Sequence, residues 1–293
     1  MDERLIALKD PTLLVVRIEE IWQGIQTPDG PIAGAILVHP SCPPVLFWHL
    51  FLHHPTLAAS NPSFPLLLLE SESLTHQNAW NLHHLLRRSD IPVSALELLT
   101  HVEARKVAQE ARHHRGLAGD VAPGWETELL QVLASELHRD RRLVWLARVG
   151  ALPETLNAAL PYPIRPTPLP SRSSRDVPLY EDWEPRWQYN ARLGQLVMEK
   201  GLALPERDQR HAVLTFFASS DGELAPLLAL AQVPARRLLT NATVAPVWYK
   251  RLGAALNHHL PTSALPRLTD DGNRWVRAVA QKRLADPKWR LFS

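Results

Sequence analysis

Histidines are the first residues whose spacing could do chemistry; the chain carries 14 of them. His49 and His53 stand four apart in the run His49-Leu50-Phe51-Leu52-His53-His54. On a helix that spacing puts two imidazoles on one face, the usual geometry for two metal ligands. The run lacks the glutamate a metalloprotease helix carries between its histidines, and no nearby carboxylate supplies a third ligand. The pairs His83-His84, His113-His114 and His258-His259 are adjacent, about 100° apart around a helix, and chelate poorly. These histidines read as imidazoles near helix ends, partly buried or at the surface; neither a metal nor another cofactor is expected. Cys42 is the only cysteine, which leaves no internal disulfide and no cysteine cluster for zinc or iron–sulfur. His39 lies three residues before it, but a reactive thiolate needs an electropositive site, so Cys42 reads as filler in a turn. No Gly-x-Ser-x-Gly elbow, phosphate-binding loop or dinucleotide fingerprint occurs. The acidic pairs Asp270-Asp271 and Glu181-Asp182 fit capping and solvation better than acid–base work. No catalytic residue is assigned.

Basic and aromatic residues offer more. Arg139, Arg141, Arg142 and Arg148 surround Trp145, and a second group holds Arg267, Arg274, Arg277, Lys282, Arg283, Lys288 and Arg290 with Trp275 and Trp289. Guanidinium and indole on one surface could hold phosphate and stack on bases, which makes nucleic acid one candidate partner. The net charge of only +2 permits that partner without implying it. The bland reading is that Arg277 decorates a helix surface and the tryptophans are core. A second partner surface is Tyr180-Glu181-Asp182-Trp183-Glu184-Pro185-Arg186-Trp187, where aromatic and acidic residues interleave in a segment expected to be extended. Tyr180, Trp183 and Trp187 could anchor it on another protein. Equally, Trp183 and Trp187 could fold back and pin the helices on either side.

The elements that must carry these side chains are set by proline. The chain has 26 prolines and 12 glycines, so tight β-hairpins are disfavoured and many short helices are favoured. One phrase recurs: apolar residues, a polar turn with proline, then a leucine-rich helix. It reads Ala35-Ile36-Leu37-Val38-His39-Pro40-Ser41-Cys42-Pro43-Pro44 before Val45–His53, and Leu57-Ala58-Ala59-Ser60-Asn61-Pro62-Ser63-Phe64-Pro65 before Leu66–Leu69. Looser echoes precede Val93–Leu99, Glu154–Leu160 and Val247–Leu256. Proline's fixed φ opens each new helix at its first position. Helices this short cannot bury an apolar face alone, so copies are expected to stack.

The turns His39-Pro40-Ser41-Cys42-Pro43 and Asn61-Pro62-Ser63-Phe64-Pro65, together with Asp270-Asp271-Gly272-Asn273-Arg274-Trp275-Val276-Arg277-Ala278-Val279-Ala280, resemble the leucine-rich repeat variant family. Ala285-Asp286-Pro287-Lys288-Trp289-Arg290 resembles the start of one more unit. The resemblance covers about 35–110 and 235–293. It implies alternating α and 3₁₀ helices in a right-handed superhelix related to HEAT repeats. That family also occurs with an iron–sulfur domain, for which a chain with Cys42 alone has no ligands.

Periodicity agrees. Leu129, Leu130, Leu133 and Leu137 share one helical face, as do Trp275, Val276, Val279, Ala280 and Leu284, with Asp270 or Asp271 placed to cap the second helix. No stretch alternates with period two, so no strand is expected. Residues 161–185 carry prolines at 161, 163, 166, 168, 170, 178 and 185 and predict an extended linker. The expected fold is therefore all-α, an α-solenoid-like superhelix of short stacked helical repeats in two lobes, 1–160 and 186–293, joined by a proline-rich linker at 161–185. The N-terminus lacks a signal-peptide layout and no apolar run is long enough to span a bilayer, so no membrane is expected and the setting is expected to be cytoplasmic. The expected function is a non-enzymatic protein–protein interaction scaffold, an adaptor in a larger bacterial assembly, with nucleic-acid binding as the alternative.

Overall fold

A computed structural model describes residues 2–25, 27–69, 74, 77–136, 140–165, 167, 169, 183–222 and 224–292, the side chains of 69, 136, 183–187 and 189 excepted. Every regular element among them is a helix; the nearest thing to a strand is one antiparallel bridge between His114 and Asn273. Proline begins many helices. Pro31, Pro44 and Pro55 occupy first-turn positions, where no backbone N–H is needed, and Pro43, Pro92, Pro153 and Pro205 stand at N-caps. The leucine-rich runs fold as Pro44–Phe51, Phe64–Leu69, Val93–Leu99, Glu154–Ala159 and Trp248–Leu256.

The chain packs as two units. One comprises Met1–Gly119 and the three residues Gly272–Arg274; the other comprises Asp120–Asp271 and Trp275–Ser293. In the first, Phe47, Trp48, Phe51 and Phe64 form an aromatic centre, with ring centroids 5.1 Å apart for Phe47–Trp48 and 5.9 Å for Phe47–Phe64. Ile18, Ile36, Leu37, Leu86 and Leu99 close around it. In the second, Trp248, Trp275, Phe217 and Leu227 are buried in a core that also takes Leu129, Leu133, Leu146 and Leu156. Those last leucines belong to Trp125–Glu136, Leu143–Arg148 and Glu154–Ala159. Packing thus divides the chain at 119/120 and groups these helices with the residues that follow.

Most of the expected linker lies outside the described residues. Its end does not continue as an extended segment: Trp183–Lys200 is a helix, with Pro185 in the first turn, where proline is tolerated. The extended conformation expected for 183–187 is corrected accordingly. Within Arg274–Ala285, Trp275, Val276, Val279 and Ala280 are buried, whereas Leu284 is 43% exposed. The apolar stripe therefore stops one turn early. Two helices in the second unit approach closely enough to exclude a side chain: a Cβ on Gly253 would meet the Leu227 carbonyl oxygen at 2.6 Å and the Leu230 Cβ at 2.8 Å. Among the described residues no single helix is long and apolar enough to cross a membrane. Glu206–Ser219 and Leu224–Leu230 together meet the length and composition, but they are bent by 119° and most of their apolar residues lie in the second core.

Candidate binding grooves and a buried polar ladder

Four turns share one hydrogen-bonding device. The Asn61 Oδ1 accepts the Ser63 N–H at 2.7 Å, while its Nδ2 donates to the carbonyls of Leu37 at 2.7 Å and His39 at 2.9 Å. Asn257 repeats this: its Oδ1 accepts the His259 N–H at 2.7 Å and its Nδ2 donates to Leu230 and Val233 at 2.6 and 2.8 Å. Histidine does the same with a ring. The His39 Nδ1 accepts the Ser41 N–H at 3.1 Å and its Nε2 reaches the Asp10 carbonyl at 2.8 Å. The His114 Nδ1 accepts from Gly116 at 3.0 Å and its Nε2 reaches the Arg88 carbonyl at 2.6 Å. Because Nδ1 accepts in both rings, the proton sits on Nε2, and each imidazole is the neutral Nε2–H tautomer. All four side chains are buried. Each caps its own turn and satisfies a carbonyl 22 to 29 residues back, at or just past the end of a helix two elements earlier.

Three residues after each of these stands an apolar one: Cys42, Phe64, Leu117 and Leu260. Cys42 therefore occupies a packing position. It is 6% exposed, and burial pushes its thiol up to about 12, which keeps it protonated and unreactive.

Several of the arginines proposed for nucleic acid are committed inside the protein. Arg277 is buried, donating to the Asp120 carboxylate at 3.2 Å and the Asp271 carbonyl at 3.3 Å. Arg283 is buried and donates to the carbonyls of Ala255 and Asn257 at 2.6 and 2.7 Å. Arg142 is bonded to Asp140 at 2.9 Å and reaches Ser220 and the Asp221 carbonyl. Burial raises the Asp140 carboxyl, but the Ala225 amide and the Arg142 guanidinium outweigh that and hold it below the usual range. Arg148 is half-buried over the Trp145 ring, 4.7 Å from its centroid. Arg274 is half-buried, its backbone N–H donating to His113. Arg141 and Lys288 are exposed; Arg141 lines a cavity of about 450 Å³ with Val144, Tyr162 and Ile164. Arg139 and Tyr180 lie outside the described residues, as do the side chains of Trp183 and Trp187. Sequence reading missed Arg251, which is fully buried and grips Asp271 through two bonds of 2.7 and 3.0 Å. That pairing engages Asp271, which with Asp270 was one of the two residues expected to supply a helix cap.

The histidines expected near helix ends divide into several roles. His83 is buried against Glu110 at 2.5 Å. His49 and His53 line grooves of the first unit. One groove, about 870 Å³, runs between Val15–Gln23 and Pro44–Phe51 and is walled by Val16, Trp22, Val45, Leu46 and His49, with Glu19 and Glu20 at its rim. The other, about 590 Å³, holds Asp29, His53, Trp80, His84, Arg87 and Arg88, and shares His49 with the first. Rings line both: Trp22 and His49 are 5.8 Å apart edge to face, His49 and His53 5.7 Å, and Trp80 and His84 3.9 Å. Burial lowers the affinity of His53 for a proton. The nearby Asp29 carboxylate opposes this, 3.6 Å away, while His49, His54 and Arg88 reinforce it. His53 is accordingly neutral near pH 7, a hydrogen-bonding group rather than a charge.

Two residues lining the first groove are apolar and exposed: Val16 is 64% exposed and Val45 81%, with the Trp22 ring forming part of the wall. No group of three or more histidine, cysteine, aspartate or glutamate side chains is placed to hold a metal ion among the described residues. What the grooves offer is apolar contact, aromatic faces and charged side chains. No protein-family model, curated protein or solved structure matches the chain.

Proposed function

We propose that the protein is a non-enzymatic interaction scaffold, an adaptor subunit whose first unit holds a segment of a partner protein in the groove lined by Val16, Trp22, Val45 and His49. One observation carries this reading: Val16 and Val45, 64% and 81% exposed, both line a groove of about 870 Å³ beside Trp22. Scattered exposed apolar residues need no explanation, but exposed apolar residues that line a concave site are what a protein partner covers.

The scaffold itself is proposed to be a helical repeat, HEAT-like and similar to the leucine-rich repeat variant family at its turns. The recurring device of His39, Asn61, His114 and Asn257 supports this, since each reaches back across a pair of helices to a carbonyl. Nucleic acid remains the second reading, but it draws less support. Arg277 and Arg283 are occupied by internal acceptors, which removes two of the basic residues proposed for it.

The test is recovery of partners from the native host on tagged protein, with and without nuclease, comparing the native chain with Val45→Asp. The expected result is a protein that survives nuclease and is lost with the variant. Recovery abolished by nuclease, or unchanged by Val45→Asp, speaks against the scaffold reading.

A further inference from the structure

We infer that the groove between Val15–Gln23 and Pro44–Phe51 receives a basic amphipathic segment of its protein partner, with apolar side chains on Val16, Trp22, Val45 and Leu46 and lysine or arginine on Glu19 and Glu20. This rests on the scaffold reading and adds the chemistry of the partner.

The charge at the rim is one-sided. Glu19 and Glu20 are the ionised residues lining this groove; no lysine or arginine lines it. Glu19 is exposed and makes no hydrogen bond or ion pair among the described residues. Glu20 pairs with Arg17 at 2.6 Å, but both side chains are more than half exposed, and such a surface pair is weak enough for a partner's cation to replace.

Neither carboxylate serves its helix through the dipole. That helix has no acidic residue in its first turn; Glu19 stands at its middle and Glu20 opens its last four residues, where the dipole favours cations. Nor do they reflect a generally acidic protein, since the whole chain carries +2. Two exposed carboxylates beside exposed Val16 and Val45 are positioned for an external cation. The apolar wall sets the other half of the recognition. Val16 and Val45 face the groove from the first turns of their two helices, with Trp22 and Leu46 lining it deeper. A volume of about 870 Å³ accommodates several side chains, as an amphipathic helix presents at i, i+3 and i+4.

The neighbouring groove does not share this character. It carries Arg87, Arg88 and three histidines against Asp29 alone, so a basic segment is held on the Glu19–Glu20 side of His49.

Selection of a displayed peptide library against the full-length chain, followed by anisotropy titration of the enriched peptides, tests this. The expected peptides combine large apolar residues at helical spacing with lysine or arginine. Their affinity should fall roughly tenfold or more in the double variant Glu19→Lys/Glu20→Lys, fall with added salt, and be lost in Val45→Asp. All three positions are exposed, so the variants keep the native helical circular dichroism. Enriched peptides that depend on Val45 but are acidic or uncharged, or are indifferent to the charge reversal, would overturn the basic-partner inference while leaving the docking reading intact. A library yielding no peptide dependent on Val45 sinks both.

Discussion

Histidine and asparagine do the same job in this protein because both place an acceptor and a donor at opposite ends of a short planar group. In Asn61 and Asn257 the acceptor is the amide oxygen, and in His39 and His114 it is Nδ1; the donors are Nδ2 and Nε2. Asn257 is fully buried and holds two carbonyls as well as the His259 N–H. Asn257→Ala leaves those groups without their partner and is expected to cost about 2–4 kcal/mol, read from the urea midpoint. Asn257→Asp should cost more, since it keeps the acceptor but buries a charge against two carbonyl oxygens. His258, next in the chain, follows a different rule. Burial, then Arg283, Arg290 and His259, lower its pKa to about 4; burial and Arg207 do the same for His211. The unfolded chain takes up protons on these groups from about pH 6.5 downward, while the folded protein refuses them until about 4. Their contribution to stability is therefore complete above about 6.5 and is lost as pH falls toward 4. Thermal unfolding midpoints should drop across that window, and His258→Gln together with His211→Gln should flatten the drop.

At the scale of the element, proline is the organising residue. It starts helices where its missing N–H costs nothing, and the buried Asn or His finishes the preceding turn by capping it. Of the four turns with the full device, two were legible as Pro-Ser-x-Pro. His114-Arg115-Gly116-Leu117 and Asn257-His258-His259-Leu260 lack Pro-Ser and read only as histidine pairs. The common signal is a capping side chain followed three residues later by an apolar residue. That pattern also accounts for Cys42, which packs where Phe64 and Leu260 pack in the other turns. Helix packing was legible where periodicity was strong, as for Leu129 and Leu133. The need for Gly253 was not, because the atoms that would clash with its Cβ belong to Leu224–Leu230, a helix more than twenty residues earlier.

At the scale of the whole molecule, the first unit is discontinuous in sequence. Gly272–Arg274 supply it with three backbone hydrogen bonds: Gly272 N–H to Arg87, Arg115 N–H to Gly272, and Arg274 N–H to His113. Gly272 fits there because a Cβ would meet the carbonyl oxygens of Leu86 and Arg88. A fragment of residues 1–119 alone loses these bonds and should be less stable than the same unit in the full chain by about 2–4 kcal/mol. Hydrogen exchange checks this at the Arg115 amide, protected in the full chain and expected to exchange orders of magnitude faster in the fragment. Equal protection would show that the three residues contribute nothing.

By itself the sequence determined that this protein is helical and where its short helices begin, because proline, capping and apolar spacing act within a few residues of one another. It also marked His39 and Asn61 as belonging to equivalent turns. The tertiary structure alone decided which distant carbonyls those side chains reach and that Arg277 and Arg283 face inward. It alone decided that Gly272–Arg274 complete a unit more than 150 residues away in the chain. It likewise decided that Val16 and Val45 stay exposed while Ile18, Ile21 and Leu46 beside them are buried. The reason is the same in each case: burial and long-range hydrogen bonding depend on what the chain brings alongside, which residue types and local spacing do not encode.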